Sequence, residues 1–300
     1  MSAPATDDVT GRFVPCLNPA TLRGLPLPEF LALAAGAGFP TVEVSVQQAQ
    51  AHGTARLCDL LQELGVKVAA ASGILPAGPV LPAPLLVDPD TYRTCLDGLD
   101  DRLQAMAALG CTVATTVLNP RSPLDTTRAR ALARERIAQL ATAAAAHGMW
   151  LAVEAVSIRT GLPAELPHPV VDNLPQLAEL LDDTGTDHAG VLVDSFHWAA
   201  AGADPAHITA LGPGRITHVQ IADIPAGHTA SVTDAERLFP GDGALPWPAF
   251  ADALARAGYD GPVSVELFNP TVRSLPAGEI ARLSHHAATR CWTPAKAGPR

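Results

Sequence analysis

The amino-acid sequence predicts a single α/β domain, a closed (β/α)8 TIM barrel spanning residues 12–292. Three observations predict it. Short β-branched runs alternate eight times with longer Ala- and Leu-rich stretches of helical period, the pattern of repeated βα units around a parallel sheet. No Gly-x-Gly-x-x-Gly follows the first strand, where the chain reads Asn18-Pro19-Ala20, which argues against an open sheet built to hold a dinucleotide. At 300 residues the chain has the length of one such barrel.

Taken in order, the first strand is expected at 13–17, with a helix near 27–37 that Gly38 ends. The second strand is 41–46 and its helix 54–64, stopped at Gly65; the third strand is 67–71. A Pro-rich loop, 75–89, leads into one helix over 90–109 that closes on Gly110. Strand four is 112–118, its long helix 126–147 ends at Gly148, and strand five is 150–156. After a loop at 157–168 come a helix near 174–183, strand six at 190–194 and a short helix near 205–211. Strand seven is 216–222, its helix 247–257, and strand eight 263–267; a last helix runs near 277–289. Residues 1–11 and 293–300 are polar, carry no pattern and are expected to be flexible.

Composition narrows the function. Aromatics make up 4% of a chain that is 48% hydrophobic, so Ala, Val and Leu must build the core. A net charge of −10 opposes a nucleic-acid partner, which needs a basic face. The five cysteines are scattered and unpaired in pattern, as in free thiols of a reducing compartment. Neither a leader peptide nor an apolar run of about 20 residues is visible, so no membrane association is expected and the location is read as cytoplasmic. Lysine occurs only at Lys67 and Lys296, neither placed to reach a barrel mouth, which disfavours a Schiff-base aldolase.

The chemistry-bearing residues are polar groups near the carboxyl ends of apolar strands: Glu154 in Leu-Ala-Val-Glu, Asp194 in Val-Leu-Val-Asp, Gln220 in His-Val-Gln-Ile and Glu266 in Val-Ser-Val-Glu. Parallel strands are buried on both faces, so acids within them are exceptions that need a reason. In a barrel the four would converge at the C-terminal mouth. Three clustered carboxylates repel unless a cation sits among them, and no Arg or Lys stands at a matching position in strands five to eight. One bound divalent metal ion resolves the conflict. The donors are all oxygen, which favours Mn²⁺ or Mg²⁺ and still allows Co²⁺ or Zn²⁺; no organic cofactor is expected.

Four segments recur in a fixed order: Val-Asp-Ser-Phe-His-Trp (193–198), His-Val-Gln-Ile-Ala-Asp (218–223), Arg-Leu-Phe-Pro-Gly-Asp-Gly (237–243) and Gly-Tyr-Asp-Gly-Pro-Val-Ser-Val-Glu-Leu-Phe-Asn-Pro (258–270). Together they resemble the xylose-isomerase-like sugar phosphate isomerase/epimerase superfamily, nearest its 2-keto-myo-inositol isomerase branch, densely over 150–285 and thinly before. The resemblance implies Glu154, Asp194, Gln220 and Glu266 as metal ligands. It also implies Glu154 and Glu266 as the groups that take and return a proton on a small hydroxy-ketone, in carbohydrate or inositol metabolism. The third ligand is usually histidine in the isomerases; Gln220 also fits a 3-dehydroshikimate dehydratase-type lyase, and a non-catalytic barrel is the third alternative. Barrels of this family are often dimers or tetramers, so the resemblance allows a homo-oligomer.

Other candidates carry two readings each. His197, one turn beyond Asp194, is a hydrogen-bond donor to substrate or a cap on its own loop. Arg237 and Arg159 bind substrate or are solvated. Glu43, on strand two, is a substrate-contacting mouth residue or a buried structural acid. His218, two residues before Gln220, supports that residue from below or packs the core.

Overall fold

Eight parallel strands close in sequence order in a computed structural model that describes residues 12–76, 84–158, 165–227 and 231–292. They are β1 (Val14–Leu17), β2 (Thr41–Ser45), β3 (Lys67–Ser72), β4 (Val113–Leu118), β5 (Trp150–Ala155), β6 (Ala189–Asp194), β7 (Ile216–Ile221) and β8 (Pro262–Val265). β8 pairs back onto β1, with Leu17 opposite Val265. The expected flexible ends, 1–11 and 293–300, lie outside the described residues, as do parts of the two Pro-rich loops. No described helix is long and apolar enough to cross a membrane.

The helices begin where sequence chemistry lets them. Asp88, Asp125, Asn173, Asp204 and Asn269 each accept a backbone N–H of the first turn, the bond that satisfies donors a helix leaves open. Gly38 and Gly65 close their helices in the left-handed region.

Two parts of the expected layout are corrected. The single helix over 90–109 is two, Pro89–Leu96 and Leu99–Ala108, because Gly98 at φ +69° breaks the run. Arg102 ties the break down by donating to the carbonyls of Ile74, Asp97 and Cys95. Two helices follow their strands with no loop between: Val46–His52 after β2 and Ser195–Ala200 after β6. A two-residue antiparallel ribbon, Arg121–Ser122 with His168–Pro169, also joins the loops that follow β4 and β5.

The apolar core lies between the sheet and its ring of helices, with Leu103, Met106, Ile137, Leu140, Leu177 and Phe250 fully enclosed. Inside the barrel the upper layer is polar. A register shift between Val42 and Glu43 sits beside it, and the pairing of Asp194 with Gln220, and of Gln220 with Ser264, sets the level of the groups described next.

Candidate active site

Glu154 and Asp194 stand at or next to the last residue of β5 and β6, Gln220 next to the last of β7, and Glu266 one residue past β8. All four are brought to the C-terminal mouth. Glu154, His197, Gln220, Arg237 and Glu266 line one cavity of about 240 Å³, together with Asn18, Asp234 and Phe268. A hollow of about 400 Å³ opens at the other end of the barrel, but Asp260 is the single carboxylate among the described residues that line it. The chemistry therefore belongs to the smaller cavity.

Asp194 is both strand end and helix cap. Its Oδ1 accepts the N–H groups of Phe196 and His197, at 2.7 and 3.2 Å, which starts the short helix at once and turns His197 back toward the cluster. Ligand atoms of Glu154, Asp194 and His197 all lie within 4.8 Å of one another. The His197 ring has Nδ1 facing the Ser157 N–H at 3.4 Å and Nε2 facing Glu154 Oε1 at 3.4 Å. Arg237 Nη2 also lies 3.3 Å from Nε2, so N–H donors face both ring nitrogens and a neutral ring can accept from one of them.

The cluster does contain a fixed cation, and it comes from a loop. Arg237, after β7, is 1% exposed, which rules out the solvated reading. Its Nη1 donates to Asp194 Oδ2 at 2.7 Å and lies 3.3 Å from Glu266 Oε2, while Nε donates to Asp234 Oδ1 at 2.8 Å. Phe196 and Phe268 flank the guanidinium at 4.7 and 5.2 Å. Asn269 holds the Arg237 carbonyl at 3.1 Å. The loop is pinned further by Asp223, whose carboxylate accepts from the backbone of Ile224, Gly241 and Leu245 and from Trp247 Nε1. A Cβ on Gly243 would meet Ile224 O at 2.4 Å and Asp223 Oδ1 at 2.5 Å, so the Pro-Gly-Asp-Gly turn needs glycine there.

These neighbours divide the carboxyls. Burial pushes Asp194 up, but the Arg237 charge, His197 and the two backbone donors hold it below the usual range. Burial, aided by the charges of Asp194 and Glu266 and only partly offset by Arg237, drives Glu154 well above it. Burial, opposed by Arg237 and reinforced by Asp194, takes Glu266 to about 8. Burial also lowers His197, which stays neutral at pH 7.

Beneath the cavity floor lies a second arrangement. Glu43 is fully buried and is absent from the cavity wall, so its expected role as a substrate contact is corrected. It accepts from His218 Nε2 at 3.0 Å and from Gln220 Nε2 at 3.1 and 3.3 Å on its two oxygens. Burial disfavours its charge, yet His218 and these bonds hold it below the usual range. His218, one pleat down from Gln220, is likewise away from the cluster. With its amide N–H groups on Glu43, Gln220 keeps a buried Oε1 that has no partner. An orphan oxygen beside three carboxylates fits a divalent cation, because such an ion takes amide and carboxylate oxygens together.

Asn18 is a site residue that the sequence does not reveal. Its Oδ1 caps the turn at Ala20 while Nδ2 donates to Glu266 Oε1 at 3.0 Å. The Asn-Pro pair signals a cap; nothing local signals a partner so distant in the chain. Arg159 lies outside the described residues.

Comparison with known proteins adds a family. Residues 31–289 match the family described as xylose isomerase-like TIM barrel. An inosose isomerase of Bacillus velezensis is 27% identical over 197 residues, 65% of this chain and 67% of that protein. A Streptomyces coelicolor protein named for hydroxypyruvate isomerase is 31% identical over 276 residues, 86% of this chain and 93% of that one. A 3-dehydroshikimate dehydratase of Pseudomonas aeruginosa is 30% identical over 148 residues, 49% of this chain but 22% of its own. Among solved structures, a xylose isomerase domain protein from Alicyclobacillus acidocaldarius superposes with a TM-score of 0.82 at 28% identity, covering 93% of this chain and 98% of that one. The IolI protein, solved with a zinc atom, shares the fold with a TM-score of 0.80 at 21% identity and the same coverage.

Proposed function

The chain belongs to the xylose isomerase-like TIM barrel family, and from that premise we propose that it is a divalent-cation-dependent isomerase or epimerase of a small hydroxy-ketone: a keto-polyol, keto-cyclitol or ketose. The observation that carries the reading is the convergence on one cavity of Glu154 and Glu266, from strands three places apart around the barrel, with Gln220, whose buried Oε1 has no partner among the described residues.

Glu154, Asp194, Gln220 and Glu266 would hold the cation. When bound, it supplies positive charge to the carbonyl and neighbouring hydroxyl oxygens, which lowers the cost of the enediolate formed on losing the α-proton; Mn²⁺ or Mg²⁺ suits the oxygen donors. The remaining work falls to side chains. One of Glu154 and Glu266 would remove the α-proton and the other return a proton, each within reach of the same cavity. Asn18 on Oε1 and Arg237 near Oε2 hold Glu266 at a fixed angle. His197, on the same wall, would donate to a substrate oxygen through the ring nitrogen that carries its proton.

Charge favours the isomerase over the lyase. Among the described residues of the wall, Arg237 is the single fixed cation, and its N–H groups face Asp194, Asp234, Glu266 and His197. Such a wall suits an uncharged polyhydroxy ketone better than a carboxylate such as 3-dehydroshikimate. The test is turnover with Mn²⁺ of inosose and neutral ketoses in D₂O, scored by deuterium at the α-carbon, with 3-dehydroshikimate in parallel. Label in the neutral substrates is expected. An ultraviolet-absorbing product from 3-dehydroshikimate alone would establish the lyase, and no divalent-ion dependence of either reaction would sink both.

A further inference from the structure

A primary amide presents two ends of similar size, an acceptor oxygen and a donor NH₂, and only the oxygen can face a cation. What turns Gln220 the right way is therefore a question about its neighbours. The group beneath it is Glu43, a carboxylate with nothing to donate. Gln220 Nε2 lies 3.1 Å from one Glu43 oxygen and 3.3 Å from the other. Turning the amide over would set its oxygen against that carboxylate in a space closed to water, since Glu43 is 0% and Gln220 4% exposed. Such a contact costs more than the bond it replaces, because both partners lose their hydration and neither gains a proton. Glu43 is in turn held by His218 Nε2 at 3.0 Å, from the same strand as Gln220 and one pleat below it.

From this geometry we infer that Glu43 is a positioning residue that orients the Gln220 amide as an oxygen donor and thereby sets the affinity of the mouth for a divalent cation. The inference rests on the proposed role of Glu154, Asp194, Gln220 and Glu266 as the cation's holders. Glu43 touches neither cation nor substrate; it acts through one amide. The arrangement parallels the carboxylate that fixes a metal-binding imidazole from behind, where loss of the support costs 10- to 100-fold in affinity. Here the supported group is an amide, so the support decides which atom is offered as well as its angle.

The experiment is calorimetric titration of Mn²⁺ into the whole, metal-stripped protein, with no substrate present. Glu43→Gln keeps the shape but lets either amide turn, and is expected to weaken Mn²⁺ binding by about 10- to 100-fold. Gln220→Leu removes the oxygen and should weaken it comparably. The double variant should be no weaker than Gln220→Leu, because the effect of Glu43 passes through Gln220. Should Glu43→Gln not fold, Gln220→Glu gives the second arm: it adds a negative charge to the site but sets a carboxylate on Glu43, and Mn²⁺ should bind no tighter than in the wild type. Unchanged affinity in Glu43→Gln, additive losses in the double variant, or tighter binding by Gln220→Glu each overturns the positioning role while leaving the cation site standing. A wild-type protein that takes up no Mn²⁺ overturns the site itself, and this inference with it.

Discussion

Arg237 occupies the position a cation would otherwise fill in the charge balance of the mouth, and replacing it tests that balance directly. Arg237→Met keeps an unbranched apolar stem between Phe196 and Phe268 but removes the charge that lies 2.7 Å from Asp194 and 3.3 Å from Glu266. Removing one partner of a buried ion pair strands the other, at about 3–5 kcal/mol. At roughly 2–4 °C per kcal/mol for a chain somewhat smaller than this one, the metal-free variant should melt roughly 6–20 °C below the wild type. Mn²⁺ should then restore much of the loss, since an ion at 100 times its dissociation constant contributes about 2.7 kcal/mol. The increment from Mn²⁺ should be larger in the variant, where the ion no longer shares Asp194 and Glu266 with a guanidinium. Differential scanning calorimetry with and without Mn²⁺ reads both quantities. A variant as stable as the wild type, or one that Mn²⁺ stabilises less, would refute the idea that Arg237 and a cation balance the same carboxylates.

Further expectations follow from the same contacts. A folded-state pKa raised from 4.5 to about 8 at Glu266 means that this group's contribution is fully present below about pH 4.5 and is lost as pH rises through 8, about 5 kcal/mol when complete. A cation prefers the ionised form, so the Mn²⁺-induced rise in melting temperature should grow between pH 6 and pH 8; a flat or falling increment would contradict the raised pKa. Glu154→Gln and Glu266→Gln should each abolish α-proton exchange, measured by deuterium uptake, while circular dichroism stays native; exchange in either variant removes that residue from the chemistry. Asp223→Ala strands three backbone donors and Trp247 Nε1; with each bond to a charged acceptor worth roughly 1.5–3 kcal/mol, it should cost at least about 3 kcal/mol in urea unfolding even where water replaces half of them. A cost under about 1 kcal/mol would mean that the loop carrying Arg237 is held by other means.

What the sequence revealed of the fold is what short-range patterns encode. Strand positions are legible within a residue or two because eight apolar runs, each bounded by Gly, Pro or Asp, leave little freedom in their ends. The helix near 27–37 ends at Ala37 because Gly38 takes φ +97°. The reading over 90–109 fails where an αL glycine sits inside an otherwise helical period, since period alone cannot show that Arg102 caps the break. The helices Val46–His52 and Ser195–Ala200 are too short for a helical period to show in the sequence. Asp194 makes the loop unnecessary by capping from the strand's own last residue.

The site divides along the same line. An acid in an apolar strand shows locally that a charge is being buried, so Glu154, Asp194 and Glu266 stand out in the bare sequence. What neutralises them does not show locally. Arg237 comes from a loop 43 residues beyond Asp194, Asn18 from 248 residues before Glu266, and Glu43 from 177 before Gln220, and no pattern in the chain joins them. A reading from sequence therefore counts three acids and one amide and assigns the whole balancing charge to a metal. The structure divides that charge. Arg237 covers Asp194 and one edge of Glu266, while burial and its acidic neighbours push Glu154 up and the Gln220 oxygen goes without a partner among the described residues. On the proposed reading, the cation would add to the charge that Arg237 already supplies at Asp194 and Glu266. A site arranged in this way would bind an ion against a standing positive charge. It should therefore take a divalent ion in preference to a monovalent one, because only the divalent ion gains enough from two raised carboxyls to displace their protons.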